Sequence, residues 1–126
     1  MLKVYPILIV QTSRLGYDSI YDELKEAKFP ELSYLLTSYP RDIERRIIPG
    51  ERQLLVIGIF SNNQWEENQF IRRMKDLNPR LIVANFSIQS IFGEPYDMTI
   101  SKDCPTGFCC HLIRVMRRFL LEANTQ

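Results

Sequence analysis

The chain has one histidine, three cysteines confined to positions 104–110, and no excess of either charge, with 16 Lys and Arg against 15 Asp and Glu in 126 residues. Each scarcity excludes something. His111 has no serine or cysteine nucleophile at a usable spacing, which argues against a hydrolase triad. Three clustered cysteines do not make a disulfide framework and fit a reducing compartment, so a cytoplasmic location is expected. A formal net charge of +1 gives no global field to gather nucleic acid or an anionic membrane. No apolar run approaches the length of a membrane span. The first residues lack the basic region and small-residue cleavage site of a signal peptide. Neither a G-x-G-x-x-G nor a P-loop signature is present, and there is no repeat or low-complexity segment.

What the chain does have is a series of short apolar runs. Residues 4–10, 54–59 and 81–86 each read as a strand buried on both faces. Amphipathic helical stretches alternate with them, the grammar of a parallel sheet wrapped by helices on both sides. With 126 residues and 45% hydrophobic content, one soluble domain spanning residues 1–126 is expected. Residues 11–16 read as a loop, and a helix runs from about Asp18 to Lys28, with Ile20, Leu24 and Ala27 on its apolar face and Pro30 as its stop. Residues 32–38 read as a weak second strand and 40–48 as a short helix ended by Pro49-Gly50. A helix over 64–77 buries Phe70, Met74 and Leu77. Residues 87–92 read as helical turns, 96–101 as a fifth, edge-like strand, and the last helix starts near Pro105.

Parallel sheets bind ligands beyond the carboxyl ends of their strands. Here those ends carry Gln11, Thr12, Gly58, Ser87 and Lys102. Lys102 beside Ser87, with Thr106 and Gly107 opening the next helix, would form an anchor for phosphate, sulfate or carboxylate. The plainer alternative is a solvated lysine at a strand end, paired with Asp103 or another acid. The hydroxyl-bearing loop at 10–16 offers a second, flavodoxin-type phosphate contact. Cys104, Cys109, Cys110 and His111 have the wrong spacing for zinc. Cys109 and Cys110 point in different directions on a helix, so at least one packs as a small core residue; a reactive thiol at the helix start is the alternative. No metal and no cofactor is expected. The doublets Arg45-Arg46, Arg72-Arg73 and Arg117-Arg118 read as solvated faces, and Trp65 as a cover for the core edge.

The order of elements resembles the receiver domain of bacterial response regulators, a flavodoxin-like fold. Residues 53–58 look like the family's central strand leading to its phosphoacceptor, residues 78–87 like its fourth strand ending in a hydroxyl residue, and residues 96–102 like its fifth strand ending in a lysine. The resemblance implies a three-layer sandwich with a five-stranded parallel sheet in the order 2-1-3-4-5. The family's acidic pair falls here at Gln11 and Thr12, and its phosphoacceptor aspartate at Gly58. A divalent cation wants carboxylate ligands, and an acyl phosphate needs a carboxylate nucleophile. The proline after the family's lysine is replaced by Asp103. The resemblance therefore implies a non-phosphorylatable pseudo-receiver, not an enzyme, that serves signal transduction of the two-component type through a protein partner or homodimer. The implied face is made by the fourth helix, fifth strand and fifth helix: Ile91, Phe92, Tyr96, Arg114, Arg117 and Arg118. Direct nucleic-acid and membrane binding are not expected. The rival reading is a flavodoxin-like domain binding a small anionic ligand or nucleotide at the carboxyl edge of the strands.

Overall fold

Four consecutive residues with no exposed surface, Ile7, Leu8, Ile9 and Val10, mark the centre of the molecule. In a strand, alternate side chains point to opposite faces, so such a run must be covered on both sides. The computed structural model, described here over residues 4–58, 64–87, 95–102 and 109–124, provides those two covers. The elements are β1 (Ile7–Val10), α1 (Arg14–Glu26), β2 (Tyr34–Thr37), α2 (Pro40–Glu44), β3 (Leu54–Ile57), α3 (Gln64–Leu77), β4 (Ile82–Ser87), β5 (Met98–Ser101) and α4 (Cys110–Asn124). A single 3-10 turn, Glu31–Ser33, leads into β2.

The five strands form one sheet in the order β2-β1-β3-β4-β5, and every pairing is parallel. This is the α/β, flavodoxin-like arrangement expected from the sequence. Ile7, Ile9, Leu54, Val56, Ala84, Phe86 and Ile100 face one layer, where Ile20 and Leu24 of α1 meet Leu112, Met116 and Phe119 of α4. Leu8, Val10, Leu55, Ile57 and Val83 face the other, against Ile43 of α2 and Phe70, Ile71 and Met74 of α3. Each fully buried aliphatic side chain contributes on the order of 1.5–3 kcal/mol, so the two covers rather than helix propensity hold the layers together.

Several boundaries differ from the sequence reading. α1 starts at Arg14, not near Asp18, because Ser13 takes the extended conformation of an N-cap and Tyr17 N–H already bonds its carbonyl at 2.9 Å. The helix stops before Pro30. Lys28 enters the left-handed region at φ 55°, and Phe29 N–H returns to Leu24 O while Lys28 N–H returns to Lys25 O, both at 3.0 Å. That is a Schellman ending, and the Phe29 ring then packs in the same cluster as Leu24. β2 and α2 are shorter than expected, and Ser87 completes β4 instead of beginning a helix. β5 begins at Met98 rather than residue 96. The helical turns expected at 88–92 and the start of the last helix at Pro105 lie outside the described residues.

The amino edge of the sheet is closed by two buried amides. Gln53 accepts from Ile48 N–H at 2.9 Å and donates to the carbonyls of Tyr5 at 3.0 Å and Arg46 at 2.9 Å. Asn78 accepts from Gly50 and Arg80 N–H and donates to Glu51 O at 2.8 Å. Arg52 then clamps α4. Its guanidinium lies 3.8 Å from the centre of the Phe119 ring and donates to Phe119 O and to Glu122. Among the described residues, no helix is long and apolar enough to cross a membrane.

Candidate functional site

At the carboxyl edge of the sheet the strands end in Gln11, Thr37, Gly58, Ser87 and Lys102. Gln11 N–H bonds Thr37 O and Gly58 N–H bonds Val10 O, both at 2.9 Å, so the ladder continues one residue past each central strand. Gln11 has no exposed surface. Its carboxamide lies across the places that side chains at two glycines would take. A Cβ added at Gly58 would stand 2.9 Å from Gln11 Cδ and closer still to Oε1, and one added at Gly16 would stand 2.8 Å from the same carbon. Real Cβ atoms do not approach other heavy atoms that closely, so the glutamine and the two glycines are one packing unit. The space beside position 58 is thus occupied by a neutral amide that arrives from the end of the neighbouring strand.

β4 and β5 pair Ser87 with Ser101, so Ser87 and Lys102 end adjacent strands at the same edge. Thr106 and Gly107, expected to complete an anion anchor there, lie outside the described residues, as does the side chain of Ser87. The Lys102 ammonium does not reach out from the edge. It lies 4.9 Å from the centre of the Phe86 ring, and Phe86 belongs to the buried layer under α1 and α4. Burial pulls the lysine pKa below its ordinary value, partly opposed by the nearby Cys109 sulfur.

Cys109 is free and buried. Burial pushes its thiol pKa up, as does the Glu23 carboxylate, which also accepts from Cys109 N–H at 3.1 Å. It is a core residue and a poor nucleophile. Cys110 is half-buried at the first position of α4. Cys104 lies outside the described residues. His111 accepts Ser101 N–H at Nδ1, 2.8 Å away, and so fastens α4 to the end of β5. Among the described residues, no three His, Cys, Asp or Glu side chains gather as a metal site requires.

The expected partner face is only partly assembled. Arg114, Arg117 and Arg118 are exposed on α4. Arg117 donates to Ala27 O at 3.4 Å, Arg118 pairs with Glu122 at 3.3 Å, and Arg114 lies 3.5 Å from the Cys110 sulfur. Ile91 and Phe92 lie outside the described residues. Tyr96, expected on that face, is buried among Phe70, Met74 and Val83 on the opposite side of the sheet. Its hydroxyl donates to the Glu67 carboxylate, which also accepts from Gln64 at 3.2 Å. The pair spans 29 residues and leaves no local sequence signal.

Burial raises the Glu67 carboxyl above its ordinary value of 4.5. The folded state therefore holds this proton more tightly than the unfolded chain. The sign follows: the group costs nothing below the unfolded value, and stability falls as pH rises from there through the raised folded value. Glu67→Gln keeps the size and the acceptor for Tyr96. The variant is expected to be more stable than the wild type at neutral pH, with a flatter profile across the carboxylate range. Urea midpoints against pH check this, and parallel profiles for the two proteins would assign the slope elsewhere.

Trp65, expected to cover the core edge, is 67% exposed at the start of α3, because the helix turns Glu67, Phe70 and Ile71 inward and leaves it outside. It lines the cleft between α3 and α2, together with Arg72 and Arg73. Arg41, Arg45 and Arg73 line the same cleft nearer α2. Residues from two arginine doublets assigned to separate faces thus meet along one groove.

Compared with protein-family models, with curated proteins and with solved structures, the chain matches none.

Proposed function

We propose that this chain is a receiver-like regulatory domain that works without phosphotransfer and acts through protein contacts. The observation that carries the reading is the Gln11 carboxamide packed over Gly58, in the space a phosphoacceptor side chain would need. An acyl phosphate forms on a carboxylate, and its Mg²⁺ rests on further carboxylates. Gln11, Thr12 and Gly58 supply none. A sheet of receiver order with this filling retains the scaffold and has no reacting atom at its centre. What such a scaffold can still do is present surfaces to other proteins, in signal transduction of the two-component type. The rival reading, an anionic ligand or nucleotide at the strand ends, needs Lys102 to offer its ammonium outward. Its position over Phe86 favours a structural role instead.

Two measurements test the reading. Incubation with acetyl phosphate and Mg²⁺ followed by intact-mass analysis is expected to return the unmodified mass, and a stoichiometric, base-labile phosphoryl adduct would overturn it. Melting in the presence of inorganic phosphate, flavin mononucleotide or nucleoside triphosphates is expected to be unchanged. A ligand held at the strand ends would add about 2.7 kcal/mol of stability at a hundredfold excess over its Kd, and a shift of that kind would favour the rival.

A further inference from the structure

The groove between α2 and α3 has an opposite number on the far face of the same molecule. Arg41 of α2 and its C-capping residue Arg45 stand one helical turn apart, and Arg73 faces them from α3 across a cleft of about 650 Å³. All three are exposed, and their guanidiniums make no hydrogen bond or ion pair among the described residues. Tyr39 at 68% exposure and Trp65 at 67% flank them. Arginine, tryptophan and tyrosine are the residues that dominate interface energies when desolvated.

On the other side of the sheet, α1 exposes Asp18, Asp22 and Glu26, also one helical turn apart, and likewise without an ion pair among the described residues. Tyr21 stands beside them, 43% exposed, with Lys25 near its ring. Four residues of helix rise about 6 Å, so the carboxylates on α1 and the guanidiniums on α2 repeat at the same spacing. Like charges at this spacing repel within each helix. Docking one row against the other would relieve both.

We propose that the α2–α3 groove of one copy receives the acidic face of α1 from a second copy, so that the chain associates head to tail. This goes beyond the regulatory reading and stands on surface charge, not on the filled pocket. α1 packs on the layer with α4 and the groove on the opposite layer, so the two halves of the contact lie on different faces of each copy. Such a contact is heterologous. Each copy keeps one unused half, and the assembly grows into a ring or a filament rather than stopping at a dimer. Asp42, which accepts from the Thr37 hydroxyl, and Glu44, Glu66 and Asp76 also line the groove. They would repel a nucleic-acid backbone, whereas a helix carrying both carboxylates and Lys25 can meet mixed charge.

Sedimentation velocity on the full chain at low ionic strength tests the proposal. The wild type is expected to sediment faster as concentration rises, and added salt should reverse this, since exposed charge pairs are screened. Arg41→Ala with Arg45→Ala removes the basic row of the groove, and Asp18→Ala with Asp22→Ala removes the acidic row. Each double variant alone is expected to stay monomeric. Mixed in equal amounts they should form a one-to-one dimer and nothing larger, because each supplies the half that the other lacks. Recovery in the mixture also shows that both variants are folded. Arg114→Glu with Arg118→Glu on α4 should associate like the wild type. A monomeric wild type at all concentrations, no recovery in the mixture, or loss of association only in the α4 variant would overturn the proposal. The acetyl phosphate experiment is unaffected by any of these outcomes, so the two readings fail separately.

Discussion

Gln53→Leu is expected to destabilise the fold by roughly 2–5 kcal/mol, because it leaves several buried polar groups without partners. Gln53 has no exposed surface. Its Oε1 accepts from Ile48 N–H, and its Nε2 donates to the carbonyls of Tyr5 and Arg46. One side chain thereby fastens the residues before β1, the end of the α2 segment and the start of β3. Leucine fills the same volume, so cavity formation is a small part of the cost. The penalty comes from an amide hydrogen and two carbonyls that lose their partners where water has little access. Asn78 would feel the change as well, since its Nδ2 lies 3.4 Å from Gln53 Oε1. Urea denaturation measures the loss, which should appear as a lower midpoint at an unchanged slope. A loss below about 1 kcal/mol would mean that solvent takes over these bonds, as it does at exposed hydrogen bonds.

That amide cluster was not legible in the sequence, and the reason is general to the molecule. β1, β3 and β4 were legible because burial on both faces demands an uninterrupted apolar run, and nothing else in a chain of this size does. The sheet order then followed from the receiver resemblance, and the pairing registers agree with it. The edges were harder. β5 reads Met-Thr-Ile-Ser, of which only Ile100 is buried, so its pattern carries half the information of a central strand. The receiver resemblance puts Tyr96 on the exposed partner face, yet Glu67 offers it a buried acceptor from an element 29 residues away. The start of α1 is hidden in the sequence because Gly16 is a loop signal in isolation. Within the fold its missing side chain makes room for Gln11. The groove between α2 and α3 is likewise a product of topology. Arg45 and Arg73 become neighbours only because both crossovers place their helices on the same face of the sheet.

Gly58→Ala is expected to cost about 1–3 kcal/mol, the usual penalty for adding a methyl group to a filled interior. The new Cβ would meet the Gln11 carboxamide, and that side chain has no exposed surface into which it can swing. The backbone at 58 does not itself demand glycine, since the only positive-φ glycine is Gly50 among the described residues. The penalty should therefore belong to the pair and not to position 58 alone. Gln11→Ala removes the obstructing amide and by itself leaves a void beside two glycines. Combined, the two substitutions exchange one filling for another. The double variant is expected to be more stable than the sum of the single effects allows, by about 1–2 kcal/mol of coupling. Urea midpoints for the wild type, both single variants and the double variant close the cycle. Additive losses would show that Gln11 and Gly58 do not share a packing space, and the filled pocket would lose its physical basis. A coupling of the expected sign would show that Gln11 and Gly58 share one packing space, the observation on which the proposed function rests. Glycine at 58 would then be what lets the neutral Gln11 side chain, just past the end of β1, stay buried at the carboxyl edge of the sheet.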